Sequence, residues 1–275
     1  MNVNLLKICG IYLLFFVFFS CATNKKTDKF IEIINDGSAK ESFKIPVSDI
    51  LNNSRLPKRI ITKIQNNIEE SSTFIKEASQ ILTDDPYLWT LIDKENPIGK
   101  DYRPHDLVEL KNSSFQVSRN NLLLRKEAAA SLEEMAGAAK AERLTLLVSS
   151  AYRTYSYQAD LYARNVKNLG QRAADRVSAR PGYSQHHLGL AVDFGSITND
   201  FAKSREGVWL AKNASKFGWS LSYPDGMEEI TGYSWESWHY RYVGKDLAKF
   251  IDNYFEGVQQ YALLFLKELA QHLPE

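Results

Sequence analysis

The chain has 275 residues, of which 44% are hydrophobic and 24% are charged, a composition ordinary for a globular protein with a sizeable core. Its formal net charge is +1, and removal of residues 1–20 would delete one lysine and no acidic residue, which brings the charge to zero. Proteins that bind nucleic acid through phosphate contacts carry a strong basic bias, so this balance excludes nucleic acid as the expected partner.

The beginning of the chain has the pattern of an export signal. Lys7 precedes an almost wholly apolar run at 8–19, which is too short for a comfortable membrane span but typical of a secretory signal. A small residue and then Cys21 follow, and this ending resembles a bacterial lipoprotein processing site, although Phe18 stands where leucine is usual. We predict a signal peptide over residues 1–20, lipidation of Cys21, and a protein anchored by that lipid in the cell envelope, on the periplasmic or outer-surface side of the membrane.

An ordinary signal peptide or an uncleaved signal anchor is the alternative, and either one also exports the protein. The two cysteines of the chain, Cys9 and Cys21, both lie in this leader. Cleavage before Cys21 would leave the mature chain without an internal disulfide, so packing must stabilise it. A cysteine nucleophile is not expected either.

The segment 21–57 is predicted to hold a tether and a stretch without assignment. Residues 22–29 are polar and typical of a flexible tether from the membrane. Residues 30–57 mix short apolar runs with Gly, Pro, Asn and Ser, and their pattern favours no single element.

Residues 58–84 are predicted as a helical extension. Isoleucine, alanine and leucine recur there at helical spacing, which indicates one amphipathic helix, and the Asp-Pro pair at 85–86 ends it. We expect this helix to pack on the domain that follows or on a partner.

Residues 85–275 are predicted to form the main domain, of the α+β class. Helices are predicted at 122–141, 156–169 and 205–217, one long tail helix at 245–273, and strands at 144–150, 188–194, 219–222 and 238–243. This order predicts a small, mostly antiparallel sheet flanked by helices, with the helical extension added at the N-terminal side. We expect a monomer.

Two short segments of this domain carry the residue types of a hydrolytic metal site. One is Ser-Gln-His-His-Leu-Gly-Leu-Ala-Val-Asp, ending at Asp193, and the other is Glu-Ser-Trp-His-Tyr-Arg-Tyr at 236–242. A His and an Asp seven residues apart suit a strand with its turn, because a helix favours separations of three or four. Catalytic zinc takes three such ligands and keeps an open position for water. Strand alternation alone would place His187 on the face of Asp193, so spacing leaves the choice between His186 and His187 open.

These segments resemble the zinc D-alanyl-D-alanine carboxypeptidases of the VanY type, which are bacterial peptidoglycan peptidases. The shared pattern is Ser-x-His-x-x-Gly-x-Ala-x-Asp followed by Glu-x-Trp-His-x-Arg-Tyr. The resemblance continues upstream in Asp-Tyr-Arg-Pro-His-Asp-Leu-Val at 101–108 and in Ser-Ala-Tyr-Arg-Thr at 150–154 with Gln158. It covers about residues 85–250 and leaves the first third of the chain unexplained.

The resemblance implies roles for particular residues. It makes His186, Asp193 and His239 the ligands of one zinc ion per chain, at the sheet edge, because the family's first ligand lies three residues before the glycine. His187 then faces away. Glu236 becomes the general base, which takes a proton from a water molecule activated by the metal and passes it to the leaving amine. No covalent intermediate is implied.

A carboxypeptidase must also bind a free C-terminal carboxylate, for which arginine is the natural partner. Arg153 follows the apolar run at 144–148, which is predicted as a buried strand that leads to the cleft. By resemblance, Arg153 and Gln158 contact the substrate, and Ser184 bonds the terminal carboxylate or its amide. Ala151 stands where the family commonly has glycine, which makes this loop slightly stiffer.

The implied function is a zinc D,D-carboxypeptidase that removes the terminal D-alanine from peptidoglycan stem peptides. L,D-cleavage of tetrapeptide stems uses a closely similar site, and we favour D,D-cleavage. The alternative from another class is a non-catalytic module that holds the metal and binds peptidoglycan or a protein partner. The presence of both Glu236 and Arg153 argues against that module.

Overall fold

The computed structural model describes residues 47–70 and 73–272. The predicted signal peptide, Cys21 and the tether lie outside the described residues, as do the first residues of the segment without assignment. Within the two described ranges, no helix combines the length and the apolar character needed to span a membrane.

The described residues form helices and short strands in alternation. The helices are α1 (Val47–Asn53), α2 (Lys58–Glu70), α3 (Thr73–Thr83), α4 (Pro86–Trp89), α5 (Lys126–Ala141), α6 (Tyr155–Leu169), α7 (Gln171–Val177), α8 (Arg205–Asn213), α9 (Glu228–Thr231), α10 (Lys245–Phe255) and α11 (Gln259–Gln271). The strands are β1 (Leu107–Glu109), β2 (Gln116–Val117), β3 (Leu123–Arg125), β4 (Leu147–Ser150), β5 (Ala191–Phe194), β6 (Trp219–Leu221) and β7 (His239–Tyr242). Single 3₁₀ turns lie at Gln185–Leu188, Asn199–Lys203 and Ala214–Phe217.

The central sheet has the strand order β2-β4-β5-β7-β6. β2 and β4 pair in parallel, and the other neighbours pair antiparallel. β1 and β3 form a separate antiparallel ribbon. The predicted α+β class, with a small and mostly antiparallel sheet flanked by helices, is therefore confirmed.

The register of β5 and β7 positions the candidate site. Asp193 lies directly opposite His239 in this antiparallel pair. Because successive side chains of a strand point to opposite faces, His239 and Arg241 share one face of β7, whereas Tyr240 and Tyr242 share the other and join an apolar core. The strand β7 thus has one polar face and one apolar face.

The buried apolar residues form two clusters. The first, called the sheet core here, lies between the sheet, α5 and α8 and includes Leu132, Val192 and Trp219. The second, called the helical layer, joins α1, α2 and α3 to α10 and α11 and is centred on the ring of Phe74. The N-terminal helices therefore pack on the C-terminal ones, which are distant in sequence.

Two predicted helices are each divided in the structure. The single helix expected over 58–84 is wrong, since α2 and α3 are separate helices that pack on one another. The Ser-Ser-Thr sequence at 71–73 is typical of a helix N-terminus and was a signal for this division. The single tail helix is also wrong, because α10 ends before Glu256 and Gly257, whose φ angles are +55° and +75°. This left-handed backbone stops a helix, and glycine adopts it readily.

The helix predicted over 122–141 begins later than expected. Leu123–Arg125 form β3, which pairs with β1, and α5 starts at Lys126. The alanine-rich sequence that follows favours helix strongly, and pairing with a distant strand overrides that preference for three residues.

Candidate metal centre

The turn before β5 orients the first candidate ligand. His186 lies on the 3₁₀ turn Gln185–Leu188, and the Ser184 hydroxyl caps this turn by accepting a hydrogen bond from the His186 N–H at 3.3 Å. Gly189 ends the turn with a φ of +67°, and a Cβ there would lie 2.9 Å from the Leu107 side chain, so this position needs glycine. Because residues 185–188 form a turn, strand alternation does not extend across them, and it could not choose between His186 and His187.

The structure brings His186, Asp193 and His239 together. Nε2 of His186 lies 3.3 Å from Oδ2 of Asp193, and Nδ1 of His239 lies 3.1 Å from Oδ1 of Asp193. All three side chains are buried, and one potential ligand atom from each lies within 4.8 Å of the others. The three residues that the resemblance made metal ligands therefore converge on one point.

The donor atoms of this group fit a metal ion. The Nδ1–H of His186 donates to the carbonyl oxygen of Ala151 at 2.7 Å, which leaves the Nε2 lone pair directed at Asp193. Nε2 of His186 and Oδ1 of Asp193 are both buried without a hydrogen-bond partner in the part of the chain that the structure describes, and a buried atom of this kind is costly unless something binds it. Two imidazole nitrogens and a carboxylate oxygen are the ligand types of zinc.

Charge in this group is arranged around Asp193. Burial alone would raise the pKa of Asp193, but His186 and Arg153 beside it hold this pKa well below its usual value. Burial, followed by the charge of Arg153, lowers the pKa of His186 to about 4. At neutral pH the group therefore offers an ionised carboxylate and a neutral imidazole, the forms that bind a cation.

Glu236 lies at the edge of the group. Its Oε2 is 3.5 Å from Nδ1 of His239, and its side chain is 15% exposed, so it reaches the cleft. Burial, together with the charge of Asp193, raises the pKa of Glu236 to about 8. A cation bound beside it favours the ionised form, which can accept a proton and return it.

Arg153 contacts the same group from the end of β4. Its Nη2 donates to Oδ2 of Asp193 at 2.5 Å, its Nε to the Ser150 hydroxyl at 3.0 Å and its Nη1 to the Gln158 carboxamide at 3.4 Å. Gln158 is itself buried and donates to the carbonyl of Ala179 at 2.7 Å. Gln158 therefore holds Arg153 from behind, whereas Arg153 and Ser184 line the cleft.

His187 has partners away from the group. Its Nε2 accepts the N–H of Gly182 at 3.0 Å, and its Nδ1 lies 2.8 Å from the carbonyl oxygen of Arg153. It connects the loop before the turn to the end of β4 and supports the backbone of Arg153.

The metal group opens into a cleft of about 570 Å³. Its walls include several apolar or aromatic side chains, among them Tyr157, Val177, Ile197, Tyr223, Trp235 and Trp238. A larger cavity of about 680 Å³ lies between α1, α9 and α11, but none of His186, Asp193, His239 and Glu236 lines it. The chemistry therefore belongs to the smaller cleft.

A buried trio of potential metal ligands that opens to a cleft and is flanked by a carboxylate is the arrangement that metal-assisted hydrolysis requires. Residues 121–245 match the family described as VanY, D-alanyl-D-alanine carboxypeptidase. YodJ of Bacillus subtilis (strain 168) is 38% identical over 184 residues, which are 62% of this chain and 67% of YodJ. The chain belongs to the VanY family of D-alanyl-D-alanine carboxypeptidases.

Solved structures share this fold. The LdcB LD-carboxypeptidase is 35% identical with a TM-score of 0.56, and the similarity covers 66% of this chain and 88% of that one. A Glu-to-Ala variant of the vancomycin resistance D,D-pentapeptidase VanY, in complex with Zn(II), is 32% identical with a TM-score of 0.53, covering 66% of this chain and 98% of that one.

Proposed function

We propose that this protein is a zinc-dependent D-alanyl-D-alanine carboxypeptidase that removes the terminal D-alanine from peptidoglycan stem peptides. The observation that carries the proposal is the placement of Glu236, 3.5 Å from a nitrogen of the buried trio and partly exposed to the cleft, in a chain of this family. A binding-only module would need the trio but not this carboxylate.

The metal would be held by His186 through Nε2, by the Asp193 carboxylate and by His239 through Nδ1. Zinc supplies a Lewis acid there and lowers the pKa of a water molecule in its open position. The zinc complex of the related VanY structure supports this choice of metal.

Glu236 is the general base of the proposed reaction. Its carboxylate takes one proton from the attacking water, whose oxygen bonds to the carbonyl carbon of the scissile peptide. The same carboxyl group then gives the proton to the leaving nitrogen as the C–N bond breaks, and D-alanine departs with a free amine. Glu236 is mostly shielded from solvent, and its exposed part faces the cleft in which a substrate would lie.

Arg153 and Ser184 are proposed to bind the terminal carboxylate. The guanidinium has five N–H donors, and the three bonds to Ser150, Gln158 and Asp193 leave two for a substrate. These bonds also fix the guanidinium plane, so little side-chain entropy is lost when a carboxylate binds. The hydroxyl of Ser184 accepts from the His186 N–H, and its own proton remains available to the substrate.

L,D-cleavage of tetrapeptide stems is the second candidate. The similarity to the LdcB LD-carboxypeptidase favours it, whereas the similarity to a D,D-pentapeptidase favours D,D-cleavage. The two substrates differ in the residue that precedes the scissile bond. The cleft wall formed by Ile197, Tyr223 and Trp238 therefore decides between them in this proposal.

The deciding experiment incubates the zinc-loaded protein with pentapeptide and tetrapeptide muropeptides and measures the products by mass spectrometry. We expect conversion of the pentapeptide to the tetrapeptide with release of D-alanine, and no such release by Glu236→Ala, which should retain its zinc. Cleavage of the tetrapeptide alone would select the L,D reaction. No cleavage of either stem, or full activity of Glu236→Ala, would refute the proposed mechanism.

We further propose, from the leader sequence, that Cys21 is acylated and holds the enzyme on the membrane beside its substrate. Mass spectrometry of the mature protein should then find an acylated N-terminal cysteine, and Cys21→Ser should release the protein from the membrane fraction. An unmodified mature N-terminus elsewhere would refute the lipid anchor without affecting the catalytic proposal.

A further inference from the structure

We propose that Gln259, on α11, acts through Gln185 as a positioning residue that determines which nitrogen of His239 is free to bind the metal. The inference rests on the proposed metal binding, but not on the choice of peptide substrate. It concerns a contact between the helical layer and the metal group.

A continuous set of buried polar contacts leads from α11 to His239. Nε2 of His239 lies 3.3 Å from Oε1 of Gln185, and Nε2 of Gln185 donates to Oε1 of Gln259 at 3.3 Å. Nε2 of Gln259 in turn lies 3.4 Å from the backbone carbonyl oxygen of Ser220. Gln185, Gln259 and His239 are each less than 5% exposed, so water does not compete for these bonds.

The carbonyl of Ser220 fixes the direction of every donor in this set. A backbone carbonyl can only accept, so the carboxamide of Gln259 must present its NH₂ group to Ser220 and its oxygen to Gln185. Gln185 must then present its NH₂ group to Gln259 and its oxygen to the other side. The remaining partner, Nε2 of His239, must therefore be the protonated nitrogen.

The hydroxyl of Ser222 supports the same orientation. It donates to Oε1 of Gln185 at 2.7 Å and accepts from Nε2 of Gln259 at 3.4 Å. Both contacts agree with the directions set by Ser220. Reversal of the Gln259 carboxamide would oppose two oxygens at Ser220 and two NH₂ groups at Gln185, and reversal of the Gln185 carboxamide would oppose two oxygens at Gln259.

A proton on Nε2 leaves a lone pair on Nδ1 of His239, the atom 3.1 Å from Asp193. A nitrogen must be unprotonated to bind a metal, so this tautomer is the competent one. The two histidines differ here. The tautomer of His186 is fixed by the backbone carbonyl of Ala151, whereas that of His239 depends on two side chains that can be replaced.

Gln259 lies outside residues 121–245, the part of the chain that matches the family. It is the first residue of α11, whose apolar side chains pack in the helical layer. The helical layer thus supplies part of the support for a metal ligand, in addition to covering apolar surface.

The test measures the zinc affinity of the full chain and its variants by competition with a chromophoric chelator, and the His239 tautomer by ¹⁵N NMR. Gln185→Leu removes the acceptor, so we expect about 10- to 100-fold weaker zinc binding and loss of the single Nε2–H form. Gln259→Leu should give a smaller loss in the same direction. Gln185→Glu keeps an acceptor for Nε2–H, and a proton on its other carboxyl oxygen can be donated to Oε1 of Gln259, so this variant should bind zinc within about threefold of the unaltered protein.

Gln260→Leu is the matched control, because Gln260 is also buried on α11 but donates to Asp93 at 2.8 Å, away from the metal group. It should leave the zinc affinity unchanged. Unchanged affinity and tautomer in Gln185→Leu, or an equal loss in Gln185→Glu and Gln185→Leu, would overturn the inference. Absence of zinc binding by the unaltered protein would instead refute the proposed function.

Discussion

The helical layer and the sheet around the metal group bury different kinds of side chain. The helical layer is packed from aromatic and aliphatic residues, with Phe74 in ring contact with Phe250, Tyr254 and Phe265. The strands β5 and β7 bury histidine, aspartate and arginine within a few residues of one another. Burial of polar groups costs free energy unless each finds a partner, whereas burial of apolar groups stabilises directly. The helical layer therefore stabilises the fold, and this stability offsets the cost of burying the polar groups on β5 and β7.

Arg241 lies between the two regions, on β7. Its fully buried guanidinium donates through Nη2 to the carbonyls of Tyr87, Leu88 and Thr90, while its Nε and Nη1 have no hydrogen-bond partner within residues 47–70 and 73–272. Burial lowers the pKa of Arg241 to about 10. Among the residues that the structure describes, this arginine donates to the backbone at the end of α4 and to no carboxylate.

The largest expected effect is a loss of stability in the helical layer alone. Phe74→Ala removes a fully buried ring and should lower the free energy of unfolding by about 4 kcal/mol, measured by urea denaturation. The zinc affinity of the fraction that remains folded should not change. Val208→Ala, at a position that is 42% exposed, is the control and should cost less than about 0.5 kcal/mol. A loss below about 1 kcal/mol for Phe74→Ala would show that the layer contributes little.

The next effect tests the metal region. Zinc at about 100 times its dissociation constant should stabilise the folded protein by about 2.7 kcal/mol, because only the folded chain assembles the site. Thermal unfolding with and without a chelator measures this shift. His239→Ala should contain far less than one zinc per chain by elemental analysis and should not respond to added zinc. If the melting temperature of the unaltered protein does not change when zinc is added, the trio is not a metal site.

Arg153→Lys separates substrate binding from support of Asp193. Lysine lacks the planar fork of arginine, so kcat/KM for a pentapeptide stem should fall about 50-fold, equivalent to about 2.3 kcal/mol. A stem with an amidated C-terminus, which offers no carboxylate, should be cleaved poorly by both proteins with nearly equal rates. If the amidated stem also loses about 50-fold, Arg153 acts on Asp193 and does not bind the substrate.

The smallest effect lies where the two regions meet. Burial, and then the charges of Asp246, Glu127 and Asp85, raise the pKa of Asp84 to about 6. A raised carboxyl pKa means that the folded state binds the proton more tightly than the unfolded chain, so stability falls as the pH rises from about 4 to about 6. Asp84→Asn should therefore add about 1 kcal/mol at pH 7.5, a figure reduced for partial exposure to solvent, and nothing below pH 4. An equal gain at both pH values would exclude this electrostatic origin.

The sequence was sufficient to predict the fold class and the convergence of the trio, because both depend on local patterns. The apolar runs before Arg153 and around Val192 predict buried strands, and the two motifs predict the ligand types. A strand with its turn was predicted here, but the strand begins at Ala191 and not at residue 188, because the turn ends at Gly189. The roles of these residues in binding and catalysis remain predictions.

The contacts that support the site could not be predicted in the same way. Gln185 and Gln259 are 74 residues apart, and their hydrogen bond depends on how α11 packs against the sheet. A glutamine on the apolar side of a helix was the one available signal, and it identifies no partner. The breaks between α2 and α3 and at Gly257 were missed because helical periodicity continues across short interruptions.

The ring cluster around Phe74 also has a consequence for the order in which the chain folds. α2 and α3 are synthesised well before their partners in α10 and α11, and the intervening residues take on the order of ten seconds to synthesise. Throughout that interval the apolar side of the α2–α3 pair has no covering surface. Because the proposed export signal carries the chain across the membrane before it folds, holdase chaperones should bind this apolar side until α10 and α11 can pack on it, and a chain truncated before α10 should stay bound.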